Sequence, residues 1–397
     1  MPDSSSSRRA FLATAASAAL TARGANDRIS IALIGAGGRG HDLLEDLEQC
    51  KGLNAAITTV CDVYRPNLER MSADVARIWG SPPFQTADYR EVLQRRDIDA
   101  VLIATPDFGH SRILQEAVEA GKDAYCEKPM GIDCEEAKAA WQAVKKSRQV
   151  VQIGTQRRSD GHCMAAARLL QSGILGKVTR VDISYNFHEP RWRRDHAHVS
   201  EKDIAWDKFL FNRPKRSFDA RRIREWQLFR DYTNGIAGLW MCHFIDLVHW
   251  WLDDPYPAGA VANGGVFLWK DGRETSDVFH ALLDYPKGFL VSFAMSLTNA
   301  AGNRNLWLGT RGTLDGNSWR ITGEGSKATD RLEREIHIEP EPATSHMHNF
   351  LECIRSRQTP RASVDAGFSH AVACSMAAQA LESGRRVGFD RARLALV

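Results

Sequence analysis

The chain has 397 residues, 43% of them hydrophobic and 25% charged, with a formal net charge of +3. That length allows two domains with separate cores, and the composition excludes wholesale disorder. So small a net charge leaves no nucleic-acid footprint; the eight scattered cysteines form no Cys-x-x-Cys or zinc-like spacing; and beyond the leader no stretch reaches the roughly 18 apolar residues that span a bilayer.

In chain order, Ser7-Arg8-Arg9-Ala10-Phe11-Leu12 and the mildly apolar run to about Ala22 come first. They read as a twin-arginine export signal over residues 1–25, cut near Ala22 or Ala25, with a disordered basic tail as the alternative. The expected destination is the periplasm or another extracytoplasmic space, reached through the Tat machinery. The strand-like run Arg28-Ile29-Ser30-Ile31-Ala32-Leu33-Ile34 then leads into Gly35-Ala36-Gly37-Gly38-Arg39-Gly40. A Gly-x-Gly-x-x-Gly turn that closes a buried strand and opens a helix seats a dinucleotide pyrophosphate on the helix N-terminus. A second strand, Ala56 to Cys61, ends at Asp62, 22 positions after Gly40. A carboxylate there meets ribose hydroxyls and selects NAD, although nearby Arg65 keeps NADP open.

Further strands are expected at 99–104, 122–126 and 149–153, with helices at 66–79, from 89, at 110–120 and at 135–147. This alternation predicts a doubly wound Rossmann domain over 28–155. From 156 the pattern changes: a helix over 161–171, a long strand over 177–188, then strands at 261–269, 278–285, 289–295 and 306–308. They predict a second domain over 156–345 built on a mostly antiparallel sheet with one face covered. Helices at 346–356 and 365–383 close the chain, and residues 346–397 are expected to pack back on both domains. An irregular segment, 189–236, is dense in arginine and aromatic residues, which argues against disorder.

Glu127-Lys128-Pro129 follows the strand ending at Cys126, which places Lys128 at the carboxyl edge of the sheet, facing the cofactor crevice. With the glycine turn, Asp62, Thr105-Pro106, His110 and His243-Phe244-Ile245-Asp246, this triplet makes the chain resemble the Gfo/Idh/MocA oxidoreductases over nearly its whole length after the leader. The resemblance implies a Rossmann domain joined to an α/β domain with an open sheet, a sugar or polyol substrate, and a homo-oligomer. It also implies NAD held by Gly35, Gly37, Gly38, Arg39, Gly40, Asp62, Thr105, Pro106, His110, Glu127 and Lys128. Lys128 and His243 become the catalytic pair, and no catalytic metal is expected.

One departure stands out. Family dehydrogenases carry Asp-x-x-x-His, but here Leu239 occupies the position four before His243. An imidazole titrates near working pH, so His243 still suits acid–base work, with a core histidine as the alternative; Asp246 either orients it or is structural. Losing the aspartate makes the chain similar to the NAD-retaining α-N-acetylgalactosaminidase branch. There the resemblance implies oxidation at C3, elimination of the glycoside, addition of water and reduction back. Tyr185 is a candidate base or a sheet aromatic. Arg157, Trp226 and Tyr232 complete the candidate substrate contacts.

Nine arginines of the irregular segment (191, 193, 194, 213, 216, 221, 222, 224 and 230) either bind an acidic sugar or serve solubility, packing and subunit contacts. Three functions therefore stand: an exported oxidoreductase with tightly held NAD(H), a redox-neutral glycosidase, or a non-catalytic sugar-binding relative. The first is favoured. Outside the cytoplasm no pool of free cofactor exists, so such an enzyme must keep its own.

Overall fold

The computed structural model describes residues 27–397, so the export-signal reading lies outside the described residues. Six short strands build the first sheet: β1 (Ile29–Ile34), β2 (Ala55–Cys61), β3 (Phe84–Thr86), β4 (Ala100–Ile103), β5 (Asp123–Cys126) and β6 (Val151–Ile153). All pair in parallel in the order β3-β2-β1-β4-β5-β6. β4 and β5 are buried at every residue, as parallel strands covered by helices on both faces must be. The order reverses between β1 and β4, which pair from Ile31 opposite Ala100 to Ile34 opposite Ile103. Beyond their carboxyl ends lies the crevice such sheets use for ligands.

The second sheet has ten strands in the order β14-β13-β12-β11-β7-β10-β9-β8-β15-β16. Its centre is β7 (Val178–Ser184), β8 (Gly259–Gly265), β9 (Val278–Tyr285), β10 (Phe289–Ser296) and β11 (Arg304–Gly309). Shorter strands β12 (Thr313–Asp315), β13 (Arg320–Thr322) and β14 (Ile336–His337) extend one side. β7 and β10 run parallel, and the other pairs are antiparallel. β9 alternates strictly: Phe279, Ala281, Leu283 and Tyr285 are buried, whereas His280 and Leu282 face out. The inner face packs on helices Cys242–Trp251 and Val364–Ser383. The outer face leaves Val261, Leu282 and Leu290 about two-fifths exposed.

Three details depart from the sequence expectations. The strand expected over 261–269 ends at Gly265, because the Asp277 carboxylate accepts the backbone N–H groups of Phe267, Leu268 and Trp269 and pulls them into a turn. The long strand ends at Ser184, although Tyr185 and Phe187 still donate to Ala294 and Ser296 of β10. After the last helix, β15 (Val387–Asp390) and β16 (Ala395–Leu396) add to the edge of β8. Helix His346–Ser356 packs into the first domain through Met347, Phe350 and Leu351.

The segment 189–236 lies across the nucleotide domain. Ile204 bridges to Tyr64, Ala205 N–H donates to the Val63 carbonyl at 2.9 Å, and Lys208 pairs with Asp88 at 3.2 Å. Asn212 and Arg213 hold Glu136. Phe209, Leu210, Leu228, Phe229 and Tyr232 close around Phe108 in a small core of their own.

Candidate active site

The crevice opens into a cavity of about 1140 Å³. The nucleotide domain lines it with Gly35, Gly37, Gly38, Arg39, Asp62, Thr105, Pro106, Asp107, His110, Glu127 and Lys128, and the second domain adds Arg194, Arg224, Trp226, Leu239 and His243.

The glycines divide by what a side chain would meet. Gly35 has φ +99°, and a Cβ there would lie 2.5 Å from the Ala104 carbonyl. At Gly40 a Cβ would enter the Gly35 carbonyl oxygen. These two are required by the turn itself. Gly37 has no atom closer than 4.0 Å to a built Cβ, and Gly38 has none within 4 Å. Both line the cavity, so the space a side chain would fill is left open beside the N-terminus of helix Gly38–Glu48. That cradle fits a dinucleotide pyrophosphate.

Asp62 closes the next strand. Its carboxylate accepts Ala36 N–H and Tyr64 N–H, each at 2.7 Å. Burial raises its pKa, opposed by those same bonds. Arg65 turns away to Glu69 and Asp203 and does not line the cavity. The argument that it accommodates NADP therefore loses its geometric basis.

Three residues expected to bind cofactor, Arg39, Glu127 and His110, line the cavity and also brace the crevice. Arg39 Nε donates to Glu127 Oε1 at 2.7 Å, and Glu127 also accepts from Gln156 Nε2 at 3.2 Å and its own neighbour Lys128 N–H at 3.2 Å. Gly154 makes room for this hub, since a Cβ there would lie 2.7 Å from the Glu127 carboxyl. His110 is 1% exposed, with Nδ1 2.7 Å from the Pro129 carbonyl and Nε2 2.8 Å from the Thr105 carbonyl. Both nitrogens are engaged, so the imidazole ties the ends of β4 and β5 together.

Lys128 Nζ donates to the Leu239 carbonyl at 2.9 Å, which leaves two ammonium protons for the cavity. Residues 237–241 form a π-helical turn ahead of helix Cys242–Trp251, a feature that often marks functional positions. The main chain at 239 thus supplies an acceptor at the position where the sequence resemblance implied a carboxylate. Burial alone would lower the lysine pKa, but the Cys242 sulfur and the Asp107 and Glu127 carboxylates outweigh it and raise the value. Burial pushes the Cys242 thiol up to about 11, so it is uncharged at neutral pH and the two carboxylates supply the opposing charge.

Asp107 is 3% exposed and accepts Thr233 Oγ1–H at 2.8 Å. Sequence reasoning missed it, although an acid directly after Thr105-Pro106 at the end of a buried strand was a usable signal. The His243 pKa is driven well below its ordinary value by burial, then by Lys128 and Arg157. Its imidazole is therefore neutral and faces the cavity.

Of the remaining substrate candidates, Arg157, Tyr185 and Tyr232 lie off the wall. Arg157 sits over the Phe244 ring at 4.2 Å. Tyr185 stacks on Trp240 with ring centroids 4.9 Å apart. Tyr232 is fully buried beside Phe108 and Phe209. Trp226 does line the cavity. Asp246 forms a bidentate pair with Arg158 at 2.9–3.0 Å, which makes it structural.

Comparison with known proteins agrees with this geometry. Residues 29–155 match the model of an oxidoreductase family with an NAD-binding Rossmann fold, and 206–389 match that family's C-terminal alpha/beta domain. The inositol 2-dehydrogenase of Pseudarthrobacter chlorophenolicus is 34% identical over 153 residues, which cover 38% of this chain and 44% of the relative. A glycosyl hydrolase family 109 protein of Shewanella sp. is 28% identical over 196 residues, covering 45% of this chain and 39% of the relative. The chain thus spans less than half the length of these curated relatives.

Among solved structures, the aldose-aldose oxidoreductase of Caulobacter crescentus superposes with a TM-score of 0.69 at 18% identity, over 91% of this chain and all of the other. The WlbA dehydrogenase of Bordetella pertussis gives the same score and identity over 91% and 99%. With an NAD-type cradle on a doubly wound sheet, an open-sheet partner domain and both halves of the family model matched in order, the chain belongs to the Gfo/Idh/MocA oxidoreductase family.

Proposed function

We propose that the protein is an exported NAD-dependent oxidoreductase that acts on a hydroxyl of a sugar, glycoside or polyol and keeps its cofactor through the catalytic cycle. The observation that carries this reading is the glycine cradle, Lys128 and a neutral His243 on the wall of one cavity. The glycine turn would hold the pyrophosphate and Asp62 the ribose hydroxyls, its charge opposing a 2′-phosphate. When bound, NAD takes up or returns a hydride. Lys128, kept cationic by neighbouring carboxylates, donates to the substrate oxygen and stabilises the developing alkoxide. His243 accepts the hydroxyl proton on an imidazole nitrogen.

Retention of the cofactor is supported by the segment 189–236, which crosses the Asp62 end of the crevice. Its exposed ion pairs contribute little each, so the aromatic cluster around Phe108 supplies most of the hold. Export is supported by the Arg8-Arg9 leader and by eight cysteines that are all buried and unpaired, as suits a protein folded before it leaves a reducing compartment. The half-exposed leucines and valine of the outer sheet face suit a subunit contact, and sedimentation of the purified protein tests for an oligomer.

A redox-neutral glycosidase is the second reading, favoured by Leu239 and by the family 109 relatives. One experiment tests both. The purified protein is denatured and the released nucleotide identified by absorbance and mass; the intact enzyme is assayed with sugars, polyols and aryl glycosides without added cofactor. Bound NAD(H) with substrate-dependent reduction supports the first reading, and aryl release with no net redox change supports the second. Absence of any nucleotide, bound or taken up, refutes both.

A further inference from the structure

The arginine-rich segment divides cleanly by electrostatic partner. Seven of its nine arginines have a carboxylate within 4.0 Å: Arg191, Arg193, Arg213, Arg216, Arg221, Arg222 and Arg230. Arg194 and Arg224 have none among the described residues, and of the nine these two alone line the cavity.

Their hydrogen bonds go to neutral oxygens. Arg194 Nη1 donates to Gln227 Oε1 at 2.9 Å and to the Arg224 carbonyl at 3.1 Å. Arg224 Nε donates to the Asp195 carbonyl at 3.3 Å. The nearby Glu225 carboxylate is already engaged by Arg221 Nε at 2.6 Å and by the Arg194 backbone N–H at 2.9 Å. Partial desolvation, then the neighbouring Arg224 charge, lowers the Arg194 pKa. Trp226, two positions after Arg224, lines the same cavity.

Paired guanidiniums turned toward a cavity, with neutral oxygens to position them and free N–H donors remaining, are built to receive an oxyanion. We infer that Arg194 and Arg224 form a subsite for an anionic substituent of the carbohydrate, a carboxylate or a sulfate or phosphate ester, with Trp226 beside the sugar ring. The inference rests on the carbohydrate reading above and narrows its substrate class. The glycine cradle already provides for the cofactor's own phosphates, so these two charges are left for the substrate.

Holoenzyme is titrated calorimetrically with glucuronate, galacturonate, galactose 6-sulfate and glucose 6-phosphate, and with neutral glucose and galactose. At least one acidic sugar is expected to bind tenfold or more tighter than its neutral parent, and the responding arm identifies carboxylate, sulfate or phosphate. Arg194→Gln, Arg224→Gln and the double variant should lose that preference and keep their bound nucleotide, while Arg194→Lys keeps part of it.

Equal affinity for acidic and neutral sugars overturns the subsite and leaves the carbohydrate reading standing. Nucleotide lost from the variants with the preference intact assigns the arginines to the cofactor and also overturns it. No binding or turnover of any sugar overturns the subsite and the carbohydrate reading together.

Discussion

Replacing Gly37 and Gly40 separately by alanine distinguishes a cradle from a mere turn. At Gly40 the new Cβ enters the Gly35 carbonyl oxygen, and the obstacle is backbone. Overpacking of this kind costs about 1–3 kcal/mol, against about 1 kcal/mol gained in helix propensity. The apo domain should therefore lose up to about 2 kcal/mol, or several degrees in Tm. At Gly37 the backbone has φ −75°, open to any residue, and a Cβ meets nothing closer than 4.0 Å. Stiffening the unfolded chain should leave the apo protein neutral or about 0.5 kcal/mol more stable.

The methyl at Gly37 nevertheless fills the space reserved for the pyrophosphate, so NAD affinity should fall at least about tenfold, or ~1.4 kcal/mol. Nucleotide retained per subunit after purification, calorimetric Kd and apo melting curves read the three quantities. Gly37→Ala with unchanged Kd and full nucleotide content would refute the assignment of this turn as the seat.

Lys128→Ala should lower kcat by about 10²–10⁴-fold with nucleotide content unchanged, and Asp107→Asn should lower the pH at which the lysine ceases to work; pH–rate profiles check both. His243 is held neutral, so kcat/KM should show no acid limb near pH 6.5. Buried His346 and His370 are each depressed to about 4, so the unfolded chain binds more protons between about pH 6.5 and 4. Stability should accordingly be full above that window and fall as pH drops through it, by a few kcal/mol for each group, as denaturant titrations would register. Asp246→Ala leaves the partly buried Arg158 charge without its carboxylate and should cost up to about 3 kcal/mol, read as a fall in the denaturant midpoint.

Much of this molecule is legible in the sequence because its signals are local. The β1 run, the glycine turn and Asp62 are continuous stretches whose physics is fixed within a few residues, and the nucleotide sheet follows from them. Signals that depend on distant partners were not legible. Nothing near His110 announces that both its nitrogens are taken by carbonyls from two different loops. Tyr232 and Trp226 read alike in an aromatic-rich segment, yet one is sealed around Phe108 and the other opens on the cavity. The end of the strand at Gly265 is dictated by Asp277, 12 residues downstream. β15 and β16 are too short and too far from their partner β8 to declare themselves.

The π-helical turn at 237–241 separates two tasks within a single residue. Because the lysine is anchored by the carbonyl of Leu239, no replacement of that side chain can delete the anchor. The same residue also lines the cavity. Position 239 can therefore change its side chain while the carbonyl that holds Lys128 stays in place.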